Sequence, residues 1–165
     1  MIKNLCFVSL VLILLFSACT TATPDGPNMG NLIPGVGIKE VQLFDTKSDV
    51  EKKLGKPKSY TTNPFNKSNT IAQYPEKGLE ISYLDDAVGS IVLYSSGRKD
   101  GIDWLAYEGS TNEGIWPQSN LKTIKSKLGQ PLKELPQAVI YPGLWIRLDK
   151  DGQVESFSIS IEKVN

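Results

Sequence analysis

The sequence of 165 residues contains no histidine and only two cysteines, Cys6 and Cys19. Without histidine, Ser-His-Asp catalysis, Cys-His catalysis and zinc sites built on imidazole are excluded. An excess of one charge is also lacking, because 18 Lys and Arg side chains balance 18 Asp and Glu side chains. Proteins that bind nucleic acid through clustered basic residues need surplus positive charge. The composition therefore favours neither these enzyme classes nor a nucleic-acid-binding protein.

A hydrophobic run of membrane-spanning length is missing as well. The N-terminal apolar run extends only from Leu5 to Phe16 and follows Lys3, the one charged side chain of that segment. A transmembrane helix needs about 20 apolar residues. A positive start, a short apolar stretch and small residues at its end are typical of a secretory signal peptide. We therefore predict that residues 1–18 form a signal peptide.

The end of this segment, LFSAC at residues 15–19, resembles the lipobox of bacterial lipoproteins, although that family prefers Leu where Phe16 stands. The resemblance implies cleavage before Cys19 and attachment of acyl chains, such as palmitate, at this residue. Once Cys6 leaves with the signal peptide, Cys19 would be a lone thiol in an oxidising compartment, and acylation explains its presence. The alternative is an ordinary signal peptide followed by a chance cysteine. The resemblance implies a lipid-anchored protein of the cell envelope, in the outer membrane if the cell is Gram-negative.

The segment after Cys19 is rich in Thr, Pro, Gly and Asn and reads TTATPDGPNMGNLIPGVG. Such a composition buries little apolar surface and does not order itself. We therefore predict that residues 19–36 comprise the lipidated cysteine and a flexible tether.

The phrase KKLGKP at residues 52–57 returns as SKLGQP at residues 126–131. Upstream of each phrase stands a residue that can cap a helix, Thr46 or Asn120. Apolar residues then recur at helical spacing, and a Gly followed by Pro ends the pattern. We interpret the repeated phrase as the end of a short helix in two copies of one unit.

Strand-like segments follow both predicted helices: IAQY, GLEISYL and SIVLY in the first copy, and AVIY, GLWIRL and VESFSISI in the second. Their alternation predicts a sheet with one packed face and one polar face. The predicted fold class is α+β, with two tandem helix-plus-three-strand repeats that form antiparallel sheet packed by short helices. The repeats would be residues 37–100 and 101–165 of one globular domain, while residues 102–108 are either a further strand or part of the crossover.

This order of a short helix ending in Leu-Gly-x-Pro, followed by a β-meander with a Tyr-Pro and Gly turn, resembles the BamE (SmpA/OmlA) domain. It is similar too to the tandem units of the β-lactamase inhibitory protein. The resemblance covers roughly residues 37–161. It implies an envelope or secreted protein that binds another protein without catalysis, and it assigns no individual functional residue.

Two acidic segments are candidate sites for metal binding or acid–base catalysis. Residues 149–155, DKDGQVE, resemble part of a calcium loop, but Arg147 and Ser158 stand where that loop needs acidic ligands. The alternative is a hairpin turn that uses Asp-Gly. Asp85 and Asp86 could act as an acid–base pair, or could be turn residues that point into solvent. We expect no metal, no cofactor and no catalytic residue.

The polar face of the second predicted sheet is the candidate binding surface. Trp145 alternates out of phase with its apolar neighbours and should project beside Arg147, near the serines Ser156, Ser158 and Ser160. Aromatic and Arg side chains are enriched at protein-binding hot spots. The alternative is that a helix or the other repeat covers this face and makes Trp145 a core residue.

From these patterns we expect a lipid-anchored envelope protein that acts as a non-catalytic protein-interaction module, with an envelope or secreted protein as its partner. The alternative function is a structural lipoprotein that contributes to outer-membrane assembly or integrity. A small-ligand binder or an enzyme is the third class, for which the usual nucleophiles and bases are missing.

Overall fold

A computed structural model describes residues 30–63 and 66–160. The predicted signal peptide, Cys19 and most of the predicted tether lie outside the described residues. Within the described part of the chain, no helix is long and apolar enough to cross a membrane.

Two short α-helices, one turn of 3-10 helix (Pro75–Lys77) and twelve strands make up the described fold. The helices are α1 (Lys47–Leu54) and α2 (Leu121–Leu128). The strands that precede α2 are β1 (Leu32–Ile33), β2 (Gly37–Ile38), β3 (Ser59–Asn63), β4 (Asn66–Tyr74), β5 (Leu79–Leu84), β6 (Ala87–Tyr94), β7 (Gly97–Lys99) and β8 (Ile102–Trp104). After α2 come β9 (Lys133–Leu135), β10 (Ala138–Tyr141), β11 (Leu144–Leu148) and β12 (Val154–Ser160).

Both helices begin and end where capping chemistry predicts. Thr46 caps α1, its Oγ1 accepting a hydrogen bond from the backbone N–H of Asp49 at 3.2 Å. Asn120 caps α2 in the same way, since its Oδ1 accepts from the N–H of Thr123 at 2.8 Å. Gly55 and Gly129 follow the last turns with φ of 84° and 76°, a backbone conformation that side chains with a Cβ rarely adopt. The predicted positions of the two helices are confirmed.

Eight strands form one continuous antiparallel sheet in the order β3-β4-β5-β6-β12-β11-β10-β9. The central pair is β6 and β12, where Ile91 lies opposite Ile159 and Val92 lies opposite Ser158. The two halves of the chain are therefore joined by backbone hydrogen bonds between β6 of the first half and β12 of the second.

The prediction of an α+β fold with two helix-plus-three-strand repeats is wrong. The chain is mostly β, each half contributes four strands to the large sheet, and the two helices have only 8 residues each. Within the large sheet, the two strands that the sequence did not indicate are the edge strands β3 and β9. Both are largely exposed and carry no apolar face, so the period-two pattern that marks a half-buried strand is absent from them.

Residues 102–108 divide between the two alternatives that the sequence left open. The first three form β8, which pairs with β7 in a separate two-stranded hairpin. The remainder crosses over, with the N–H of Leu105 bonded to the carbonyl of Pro75 and the N–H of Tyr107 bonded to the carbonyl of Tyr94.

One face of the large sheet carries the hydrophobic core. In register across four strands, Ile146, Phe157, Leu93 and Leu79 are all buried. Both helices and the segments that lead into them pack against this face, through a set of buried side chains: Val50, Ile124, Leu32, Ile38, Val41, Tyr107 and Ile115. The helices therefore lie on one side of the sheet, and the opposite side remains free of them.

A tyrosine at the end of a strand ties each helix to the sheet. The Tyr74 hydroxyl donates to the carbonyl of Gly55 at 3.2 Å, and the Tyr141 hydroxyl donates to the carbonyl of Gly129 at 3.1 Å. Each contact satisfies a carbonyl that the end of a helix leaves without an intrahelical partner. The glycine of the repeated phrase therefore serves both as helix end and as hydrogen-bond acceptor.

The predicted tether is wrong over its last residues, 30–36, because these pack on the fold. Leu32 is 1% exposed, and its N–H donates to the carbonyl of Ser110. The N–H of Gly35 donates to the carbonyl of Gly143 at 2.8 Å, which brings two Pro-Gly turns into backbone contact. Composition alone suggested disorder here, but a single well-placed Leu and two compact turns are enough to dock the segment.

Candidate protein-binding face

The side of the sheet that faces away from the helices is the candidate functional surface, here termed the open face. A row of side chains crosses it in register, from Trp145 on β11 through Ser158 on β12 and Val92 on β6 to Glu80 on β5. These positions alternate with the buried row that carries Phe157. The period of two in each strand therefore places this row opposite the core.

Trp145 is 47% exposed on this face. Its cross-strand neighbours are Ile140 and Ser158. The sequence left open whether Trp145 is a core residue or a surface residue. In the structure it is a surface residue. An indole this exposed leaves apolar area in contact with water.

Arg147 lies two residues further along β11 and is exposed. Its Nε donates to Oε2 of Glu155 at 3.0 Å, while Lys99 approaches Oε1 of the same carboxylate at 3.4 Å. Lys99 also donates to the Tyr94 hydroxyl at 3.4 Å. Two cations thus share one carboxylate, and the local charge of this group of three side chains is positive.

The predicted serines differ in accessibility. Ser158 and Ser160 are partly exposed, whereas Ser156 is only 3% exposed. Ser156 lies between Arg147 and Tyr94 in the register, and both neighbours have large side chains. The assignment of Ser156 as an accessible contact residue is therefore corrected: it lines the groove but exposes almost no surface.

A groove of about 730 Å³ joins these residues to others that the sequence did not indicate. Of the predicted residues, Trp145, Arg147, Ser156 and Ser158 line this groove, whereas Ser160 lines a different recess. The lining residues that sequence reasoning missed are Glu80, Val92, Tyr94, Lys99, Leu135, Pro136, Gln137 and Ala138. The first four come from the first half of the chain and reach the groove only because β6 pairs with β12. Of these residues, only Glu80 could have been assigned to this face from the sequence, because it alternates with the apolar residues Leu79 and Ile81.

Glu80 is a partly buried acid that lines this groove. Burial raises the pKa of its carboxyl group, against opposing contributions from a hydrogen bond with Gln73 and the charge of Lys99. Gln73 donates to Glu80 at 3.4 Å and accepts a hydrogen bond from the Ser59 hydroxyl at 2.7 Å. Burial likewise raises the pKa of the Tyr94 phenol far above its usual value, so this group remains a neutral donor.

The two acidic segments that were candidate metal-binding or catalytic sites in the sequence are turns in the structure. Asp85 and Asp86 have φ of 48° and 67° and form the tight connection between β5 and β6. Asp149 Oδ1 accepts hydrogen bonds from the N–H groups of Asp151 and Gln153 at 2.9 Å and 2.8 Å, which closes the hairpin between β11 and β12. Among residues 30–63 and 66–160, no three acidic side chains are grouped so as to hold a metal ion.

The sequence matches no protein-family model, and it matches no curated protein. Among solved structures, the chain is similar to a DUF4309 family protein (YjgB) from Bacillus subtilis subsp. subtilis str. 168. The sequence identity is 15%, the TM-score is 0.51, and the match covers 78% of this chain and 88% of that one. At this identity the likeness concerns the fold alone.

Two further structures show weaker likeness. An extracellular protein containing a SCP domain from Bacillus anthracis str. Ames gives a TM-score of 0.47 at 10% identity, covering 72% of this chain and 43% of that one. A cysteine-rich secretory protein (SAV1118) from Staphylococcus aureus subsp. aureus Mu50 gives 0.39 at 11% identity, covering 83% and 51%. This chain thus spans about half the length of each of these two proteins. The resemblances to the lipobox and to the BamE domain stay predictions.

Proposed function

We propose that this protein is a non-catalytic protein-interaction module of the cell envelope, held to a membrane by acyl chains on Cys19, and that it binds its partner through the open face. The observation that carries the proposal is the exposure of Trp145 beside Arg147 on a sheet face that no helix of residues 30–63 and 66–160 covers.

The groove has the composition of a protein-binding hot spot. Trp145, Leu135 and Val92 supply apolar area, and Arg147 supplies a planar donor group next to it. Trp and Arg side chains dominate the free energy of many interfaces because they combine a large contact area with directional hydrogen bonds. Small serine side chains along the centre of the sheet leave room for side chains of a partner.

The guanidinium of Arg147 favours a partner segment that carries a carboxylate. Only the Nε of Arg147 contacts Glu155 among the described ion pairs, so the outer edge of the guanidinium is available for a bidentate contact. A partner with an acidic side chain next to an aromatic or aliphatic one would match Arg147 and Trp145 together.

A site-specific cross-linker tests the face directly. We place a photoreactive residue at Ser158 in the groove, and at Lys122 on α2 as the matched control on the helix side. Adducts in cells should form at position 158 and not at 122. Trp145→Ala should then weaken binding of the purified cross-linked partner by about tenfold or more, as hot-spot truncations do. Trp145→Phe, which keeps an aromatic ring, should lose less. Unchanged affinity in Trp145→Ala would remove this residue from the binding site.

Cell fractionation tests the anchor separately. Acyl chains contribute about 0.8 kcal/mol for each buried CH₂ group, so two or three chains hold a protein firmly. The unaltered protein should sediment with membranes, and Cys19→Ala should be found in the soluble fraction. A Cys19→Ala variant that still sediments would rule out lipid anchoring at this residue.

A further inference from the structure

A second exposed apolar surface lies beside the turn between β10 and β11, next to the Trp145 end of the groove, and is termed the Phe44 patch. It consists of Ile33, Pro34, Val36, Phe44 and Pro142. Pro34, Phe44 and Pro142 line a common recess of about 350 Å³. Ile33 and Val36 flank the Pro34-Gly35 turn, and both are exposed. A hydrogen bond from the N–H of Leu43 to the carbonyl of Val36 holds the segment next to Phe44 against this turn.

Phe44 is unusual for two independent reasons. It is 67% exposed, more than any other large apolar side chain among the described residues. Its φ is 72°, a left-handed conformation that Gly or Asn adopts at less cost than Phe. A residue that is both strained and exposed contributes little to folding, so its side chain points to a function outside the fold.

The position of the patch indicates its partner. The described chain begins at this surface, and about 14 residues separate Cys19 from Ile33. Even fully extended, such a segment spans at most about 50 Å. A bilayer that holds the acylated cysteine is therefore always within reach of the patch, at a high effective concentration.

We propose that the Phe44 patch inserts into the interfacial region of the bilayer that carries the lipid anchor. This inference rests on the proposed anchoring at Cys19. The patch is small and built on two rigid Pro-Gly turns, which suits shallow insertion of a few apolar side chains. Asp85 and Asp86 lie at the neighbouring turn, where the carbonyl of Asp86 accepts from the N–H of Lys47. The contact is consequently apolar rather than an attraction to anionic headgroups.

Insertion at this end would orient the groove. The N–H of Phe44 bonds to the carbonyl of Val88 near the start of β6, whereas Tyr94 at the other end of β6 lines the groove. Six residues at about 3.3 Å each separate the two ends by about 20 Å. The patch would therefore hold the Tyr94 end of the groove away from the headgroups, whereas Trp145, two residues after Gly143 of the recess, would lie nearer to them.

The test uses the full acylated protein, with acylation verified by mass spectrometry, in vesicles of phosphatidylcholine with brominated acyl chains. An environment-sensitive fluorophore is attached at Phe44→Cys, or at Leu105→Cys as the matched control. Leu105 is also an exposed apolar residue but lies by Pro75, at the opposite end of the strands. Bromine should quench the label at 44 several-fold more than the label at 105, and added anionic lipid should not increase this difference.

Equal quenching at 44 and 105, in protein that floats with the vesicles, would overturn the patch and leave the anchor standing. Acylated protein that does not float would overturn both. A second variant tests the ring itself: Phe44→Asn keeps the left-handed backbone and should raise the melting temperature or leave it unchanged. With the label moved to Val36→Cys, Phe44→Asn should reduce quenching at least twofold, and unchanged quenching there would refute a role for Phe44.

Discussion

Replacement of Gly143 by Ala tests how strongly residues 30–36 are held on the fold. An added Cβ at this position would lie 2.4 Å from the backbone N and 2.6 Å from the Cα of Gly35. Backbone atoms cannot move aside as a flexible side chain can, so the two Pro-Gly turns must separate. Separation breaks the hydrogen bond from the Gly35 N–H to the Gly143 carbonyl.

The magnitude has two parts. Gly143 has φ of 67°, and placing a side chain in the left-handed region costs about 1 kcal/mol. Gly35 is exposed and Gly143 is half-buried, so loss of their backbone hydrogen bond costs about 0.5–1.5 kcal/mol more. We therefore expect Gly143→Ala to lower the free energy of unfolding by about 1.5–2.5 kcal/mol.

Gly152→Ala is the matched control. Gly152 has a similar φ of 74°, but an added Cβ there meets nothing within 4 Å. It should lose only the conformational part, about 1 kcal/mol. Urea unfolding of the non-acylated Cys19→Ala protein, followed by tryptophan fluorescence, measures both variants in the same background. Equal losses in the two variants would refute the docking of residues 30–36.

Two further predictions concern the sheet. Tyr141→Phe removes the hydroxyl that donates to the Gly129 carbonyl and should cost about 0.5–1.5 kcal/mol in urea unfolding; no loss would mean that water replaces this bond. For Glu80, burial raises the pKa above its ordinary value of 4.5, so the folded protein holds this proton more tightly than the unfolded chain does. Stability should therefore fall as pH rises through and above 4.5. Glu80→Gln should remove that part of the decline when urea midpoints are compared between pH 4 and 7, and parallel profiles for the two proteins would contradict the assignment.

Local sequence was sufficient for the elements that are specified locally. Thr46 and Asn120 cap helices because their side chains accept hydrogen bonds from residues three positions on. The alternation in β11 was likewise readable, since it put Trp145 and Arg147 on one side and Ile146 on the other. For the same reason two of the groove residues could be found before any strand partner was known.

The fold class could not be obtained in this way. Edge strands such as β3 and β9 have one neighbour and little to bury, so they carry no hydrophobic period. The docking of Gly35 on Gly143 was equally hidden, because it depends on close approach of two backbones rather than on side-chain type.

Caps, turns and the alternation of individual strands followed from neighbouring residues along the chain, because each depends on hydrogen bonds or side-chain direction within a few positions. The pairing of β6 with β12 depends on contacts between residues more than 60 positions apart, as between Val92 and Ser158. That pairing alone brought Glu80, Val92 and Tyr94 beside Trp145 and made one groove from two halves of the sequence. Whether Trp145 would be covered was also a tertiary outcome, because both helices pack on the same side of the sheet and leave the other side to the solvent.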